Sequence, residues 1–153
     1  MTQRFARTFI RNYFGGPLKC QVLHQYTGEE TEDSGWHDAV VDVDTKFQDQ
    51  VHFRTGPLTT GVDNWIINAI ERRKVSATLV LPPPLNKIEV DGEFFVDLRW
   101  NSGTGLGSDW KVHTLRSDDH DKGVVFIIRP RMLEIHSPSG ISSTGWHPEF
   151  DIV

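Results

Sequence analysis

His24, His113 and Asp119 are the residue types from which acid–base chemistry is built, with Asp109 and His136 as further candidates. A free imidazole titrates close to neutral pH, so it can take up and release a proton under ordinary conditions. On a strand, Asp109, Lys111, His113 and Leu115 share one face. Four residues at about 3.3 Å each place Asp109 and His113 about 13 Å apart, so any dyad must form with a neighbouring strand. The reactions such groups serve without a metal or cofactor are isomerisation, cyclisation and dehydration, in an apolar pocket lined by Phe and Trp.

A second chemistry is recognition. Three stretches run through small and hydroxyl-bearing residues into a tryptophan: Thr55–Trp65, Asn101–Trp110 and Ser137–Trp146. They hold three of the five tryptophans and seven of the thirteen glycines. An indole offers a flat apolar face and one N–H donor, and loops on a rigid scaffold commonly carry binding sites. Sugars stack on such faces while carboxylates, amides and hydroxyls meet their OH groups. The expected site is Asp63, Trp65, Asp109, Trp110 and Trp146, with Trp36-His37-Asp38 and Trp146-His147 of similar character. The expected function is a non-catalytic module that binds a glycan or a lipid headgroup, with the small acid–base enzyme as the alternative. The same tryptophans would also serve as plugs at the ends of a β-sandwich.

Other chemistries find less support. There is no CxxC, HExxH or His-x-His, so no metal is expected. Ser117–Gly123 is acid-rich, but its acids do not fall at first, third and fifth positions, and Arg129 stands where a calcium loop needs a bidentate Glu. It reads as a solvated hairpin turn. Gly103-Thr104-Gly105-Leu106-Gly107 leads into a strand pattern, not the helix whose N-terminus would hold a phosphate. Neither Gly107-Ser108-Asp109 nor Gly140-Ile141-Ser142 has the strand–elbow–helix context of a nucleophilic serine. Cys20 sits at an alternating apolar position and reads as inert core.

The elements that must position these groups read as strands. Cys20, Val22, His24 and Tyr26 alternate with Lys19, Gln21, Leu23 and Gln25. Further strand-like runs are Thr8–Tyr13, Ala39–Val43, Val51–Arg54, Trp65–Ile70, Val75–Leu81, Phe94–Trp100, Lys111–Arg116, Val124–Arg129 and Leu133–His136. Gly15-Gly16-Pro17, Asp91-Gly92 and Asp121-Lys122-Gly123 read as turns, and Pro82-Pro83-Pro84 as a stiff connector. The fold class is all-β: a single antiparallel β-sandwich, or flattened barrel, of about eight to ten strands. At most one short helix is expected, begun by Asp63 or within the first ten residues.

The 153 residues suit one domain, spanning 1–153, and a net charge of −5 makes it acidic. Residues 1–28 carry Arg4, Arg7, Arg11 and Lys19 and no acid, which leaves −9 on the remainder. That acidic body argues against nucleic acid as a partner. The basic segment is expected to pair with acids of its own domain; its Arg-rich, acid-free composition also has the character of a mitochondrial presequence. No apolar run is long enough to span a membrane as a helix. One cysteine permits no internal disulfide, which suits a cytoplasmic location. A homo-oligomer with tryptophans at the contact is a further expectation.

Several segments carry a family resemblance. They are Gly16-Pro17-Leu18, Leu23-His24-Gln25-Tyr26, Thr55–Trp65, Trp110–Asp119 and Ile135–Gly145. In order and spacing they resemble a family of small fungal and nematode domains, named for genes up-regulated in long-lived insulin-receptor-mutant worms. The resemblance implies a compact β domain and makes the three stretches family features; it implies no catalytic residues. Asn64 stands where a second tryptophan is expected beside Trp65, and Ala69–Trp100 has little family character.

Overall fold

The computed structural model of the chain describes residues 2–80, 83, 89–103 and 110–149. They form twelve strands: β1 (Thr2–Asn12), β2 (Leu18–Tyr26), β3 (Glu32–Asp33), β4 (His37–Ala39), β5 (Asp44–Thr55), β6 (Asp63–Val80), β7 (Glu89–Asn101), β8 (Lys111–Val112), β9 (Gly123–Ile128), β10 (Met132–Ser137), β11 (Gly140–Gly145) and β12 (His147–Glu149). One turn of 3-10 helix, Ser117–Asp119, precedes β9. The smaller sheet has the order β11-β10-β9-β1-β5. The larger has the order β12-β7-β6-β2-β3, with β4 also on β2 and β8 on β6. The two sheets pack face to face as an all-β sandwich and neither closes into a barrel. No described helix is long and apolar enough to cross a membrane.

Alternation builds the core. Leu18, Cys20, Val22, His24 and Tyr26 point inward from β2, and Asp63, Trp65, Ile67 and Ala69 do so from β6. Register places Tyr26 opposite Asp63, His24 opposite Trp65 and Val22 opposite Ile67. The smaller sheet answers with Ala6, Ile10, Phe47, Val51, Phe53, Val124, Phe126, Ile128, Leu133 and Ile135. Burying such side chains contributes roughly 1.5–3 kcal/mol each before entropy is charged.

Several local expectations change. Asp63 begins a strand instead of capping a helix, and Trp65–Ile70 and Val75–Leu81 merge into β6, with Leu81 outside the described residues. The β-branched Ile66, Ile67 and Val75 favour an extended chain. Asp91-Gly92 lies inside β7 opposite Thr78 and Ala77, not at a turn. Of the three prolines only Pro83 is described, as a turn residue. Only the first two residues of Lys111–Arg116 are strand. The third glycine-rich stretch is mostly strand β11. One pair, β1 with β9, is parallel.

The basic N-terminal segment is β1, between β5 and β9. It meets acids of its own domain: Arg7 pairs with Asp121 at 2.6 Å, and Arg11 with Asp44 at 2.7 Å. At the other extreme, β6 and β7 beyond Glu71 and Leu98 pair only with each other among the described residues. Exposed Arg72–Asp97 and Lys74–Glu93 pairs lie along this ribbon; such pairs contribute little each.

Cys20 is buried, and burial pushes its thiol up to about 12. A thiolate is the reactive form. A thiol-reactive disulfide reagent at mildly alkaline pH should therefore leave Cys20 untouched in the folded chain and titrate it once urea unfolds the protein.

Candidate functional site

Four of the segments singled out in the sequence meet inside the sandwich. His24 on β2 is wholly buried, and both its ring nitrogens are occupied. Nε2 lies 2.7 Å from Asp63 Oδ1 and Nδ1 lies 2.9 Å from Glu32 Oε1. An ionised carboxylate only accepts, so with both partners ionised both nitrogens donate and the ring is an imidazolium. Burial alone would push the imidazole pKa down; the bonds to Asp63 and Glu32 outweigh it and hold His24 above its ordinary value. For Glu32, burial pushes upward, but bonds from His24 and His52 hold its pKa below its ordinary value. His52 Nδ1 lies 2.7 Å from the second Glu32 oxygen and carries the network to the surface.

Asp63 fastens a segment with no strand of its own. Its Oδ2 accepts the Leu115 N–H at 2.8 Å, and its carbonyl accepts the His113 N–H at 3.1 Å. Trp65 packs on the His24 ring with centroids 4.3 Å apart, and its indole N–H donates to the His113 carbonyl at 3.0 Å. The indole face beside an imidazolium adds a cation–π attraction. Gly61, just upstream, is required by this packing: a Cβ there would collide with the Tyr26 ring.

A second cluster continues from His113. Its Nε2 lies 2.8 Å from Ser137 Oγ and its Nδ1 lies 2.6 Å from Ser142 Oγ. Burial holds the His113 pKa below its ordinary value. Buried Asp119 accepts the Arg116 N–H, the Ser139 N–H and the Ser139 hydroxyl. Thus Ser117–Asp119, read as a solvated turn, delivers one acid to the interior.

The expected binding residues are placed as follows. Asp63 and Trp65 have no exposed surface, and Trp146 is buried against Trp100, the rings 6.4 Å apart and nearly parallel. Trp110 is half-buried. Asp109 lies outside the described residues, as do Thr104–Ser108 of the second stretch. His24, His113 and Asp119 of the acid–base reading lie in the interior network just described. No group of three or more His, Cys, Asp and Glu among the described residues is arranged to hold a metal ion.

The outer face of the larger sheet carries a different constellation. A groove of about 300 Å³ is lined there by Gln21, Leu23, Trp36, Ile66, Asn68 and Arg99, with Asn101 and Gly103 at its end. This volume is at the lower end of small-ligand sites. Trp36 is 40% exposed. Gln21 donates to both oxygens of Asp33 and accepts from Asn68 Nδ2 at 3.1 Å, which fixes both amides. The Gly103 N–H donates to Asn101 Oδ1 at 3.0 Å and fixes that amide. Asn68 Oδ1 and Asn101 Nδ2 keep no partner among the described residues. The sequence reading missed this groove, although the period-two alternation that sent Cys20 and Val22 inward sends Gln21 and Leu23 outward.

The family model described as up-regulated in long-lived daf-2 matches residues 2–90 and 95–146. The chain belongs to this family. No curated protein matches it. Four of the five segments that carry the resemblance in the sequence converge here: Leu23–Tyr26 supplies His24, Thr55–Trp65 supplies Asp63 and Trp65, Trp110–Asp119 supplies His113 and Asp119, and Ile135–Gly145 supplies the serines.

Removing one partner of a buried ion pair leaves an uncompensated charge, at a cost of about 3–5 kcal/mol. Asp63→Asn should lower unfolding stability in urea by that order. His24 sits above its ordinary value, so its charge stabilises fully below about pH 6.5 and that gain is lost as pH rises through its folded value. Urea midpoints should therefore fall on the alkaline side, and Asp63→Asn should flatten that fall.

Proposed function

We propose that the chain is a recognition module that binds a glycan in the outer groove of the larger sheet. The observation that carries the proposal is the combination there of a part-exposed indole, an aliphatic floor of Leu23 and Ile66, and a row of fixed amides beside Arg99. A pyranose needs an apolar face to stack on and donors and acceptors at its rim. Trp36 supplies the face; Asn68 Oδ1, Asn101 Nδ2 and the Arg99 guanidinium supply the rim. Asp63, Trp65 and Trp146 then support the site from within the sandwich and do not touch the ligand. The same indole and guanidinium would also receive a lipid headgroup, so vesicles with anionic headgroups belong beside the glycans in the test. A cytoplasmic location is part of this reading, in line with one buried thiol.

A glycan array followed by titration of tryptophan fluorescence tests it. Trp36→Ala and Asn68→Ala should each weaken the bound glycan about tenfold, equivalent to ~1.4 kcal/mol, with urea stability unchanged. Binding that survives both substitutions, or an array and vesicles that give no response, would contradict the proposal.

A further inference from the structure

We infer that Ser142 is a nucleophile that accepts an acyl group from small carboxylic esters, with the His113 imidazole as its base. The inference rests on the Ser142–His113 contact and on a hydrogen-bonding arrangement of the second cluster in which Ser142 gives its proton to the imidazole. Asp119 is surrounded by donors and accepts the hydrogen bond of the Ser139 hydroxyl at 2.5 Å. Ser137 Oγ has acceptors on two sides: Ser139 Oγ at 3.3 Å and the Gly140 carbonyl at 3.4 Å on one, and His113 Nε2 at 2.8 Å on the other. In the inferred arrangement, Ser137 gives its proton to Ser139 or Gly140 and accepts the imidazole N–H from Nε2 at 2.8 Å. His113 Nδ1 is then a lone-pair acceptor, and among the described residues the hydroxyl on it is that of Ser142, at 2.6 Å. A carboxylate is thus linked to an imidazole through two serines, and the imidazole faces a third serine.

The surroundings suit that role. His113 is almost wholly buried, and its burial is the main cause that holds it neutral near pH 7; Asp119 and Asp63 oppose this, while Lys111 and His136 add to it. Ser142 is half-buried and lies on β11, the edge of the smaller sheet, between exposed Ile141 and Ser143. An edge strand presents backbone N–H groups without a strand partner, the kind of donor an oxyanion requires. In the reaction, Ser142 Oγ adds to the ester carbonyl carbon as its proton passes to His113 Nδ1. The bond to the alkoxide breaks, and the alkoxide leaves with that proton. Water then adds to the acyl-serine, giving a proton to Nδ1; the acid departs, and Oγ takes the proton back. Ester and water become acid and alcohol.

The test is labelling with a fluorophosphonate probe and turnover of para-nitrophenyl acetate, with the modified residue mapped by mass spectrometry. Ser142 should be labelled, Ser142→Ala should lose the adduct, and His113→Asn should slow labelling by about a hundredfold or more. If His113→Asn does not fold, the unsubstituted chain still decides: labelling between about pH 5 and 8 should persist below the ordinary histidine value near 6.5 and then fall with a single protonation. An adduct absent from Ser142, or a labelling rate indifferent to both His113 and pH, would overturn the inference.

Discussion

Burying an imidazole with a carboxylate on each nitrogen gathers three ionisable groups, two of them sealed from water and the third, Glu32, part-exposed. Such an arrangement holds only if every donor finds an acceptor. His24, Asp63 and Glu32 meet that condition, and in doing so they tie β2 to β3, to β6 and to the strandless segment at Leu115. The hydrophobic contacts around them are not directional; the ion pairs are. They fix which residues of β2 and β6 face each other, and Trp65 seals the ring from the other sheet through Phe126.

This division of labour separates support from contact. The motif residues meet in the interior, where their polar atoms are used by one another. The outer face of the same strands holds side chains with spare hydrogen-bonding capacity. Each of β2 and β6 therefore serves both: His24 and Trp65 inward, Leu23 and Ile66 outward. The interior network and the outer groove thus share strands without sharing contacts.

Much of the fold is legible because strand alternation follows directly from residue type. Cys20, Val22, His24 and Tyr26 read as one face, and they are. The segments of family character are legible as well, though not their purpose. Nothing local says that Asp63 beside Trp65 points inward, because a carboxylate next to an indole is equally at home on a sugar-binding surface. What decides it is His24, far away in sequence and opposite Trp65 in register. Likewise the Ser142–His113 contact spans two separate elements and has no local signature. The continuity of β6 is hidden because Glu71-Arg72-Arg73-Lys74 looks like a break, yet on a ribbon these charges pair across to β7 or along β6.

The charge state of His24 tests the central claim most directly. Nitrogen-15 NMR of the labelled imidazole distinguishes a doubly protonated ring from either neutral tautomer. The account predicts that at neutral pH both His24 nitrogens carry protons, and that they titrate only above the ordinary histidine range. A neutral His24 ring at pH 7 in the folded chain would contradict it.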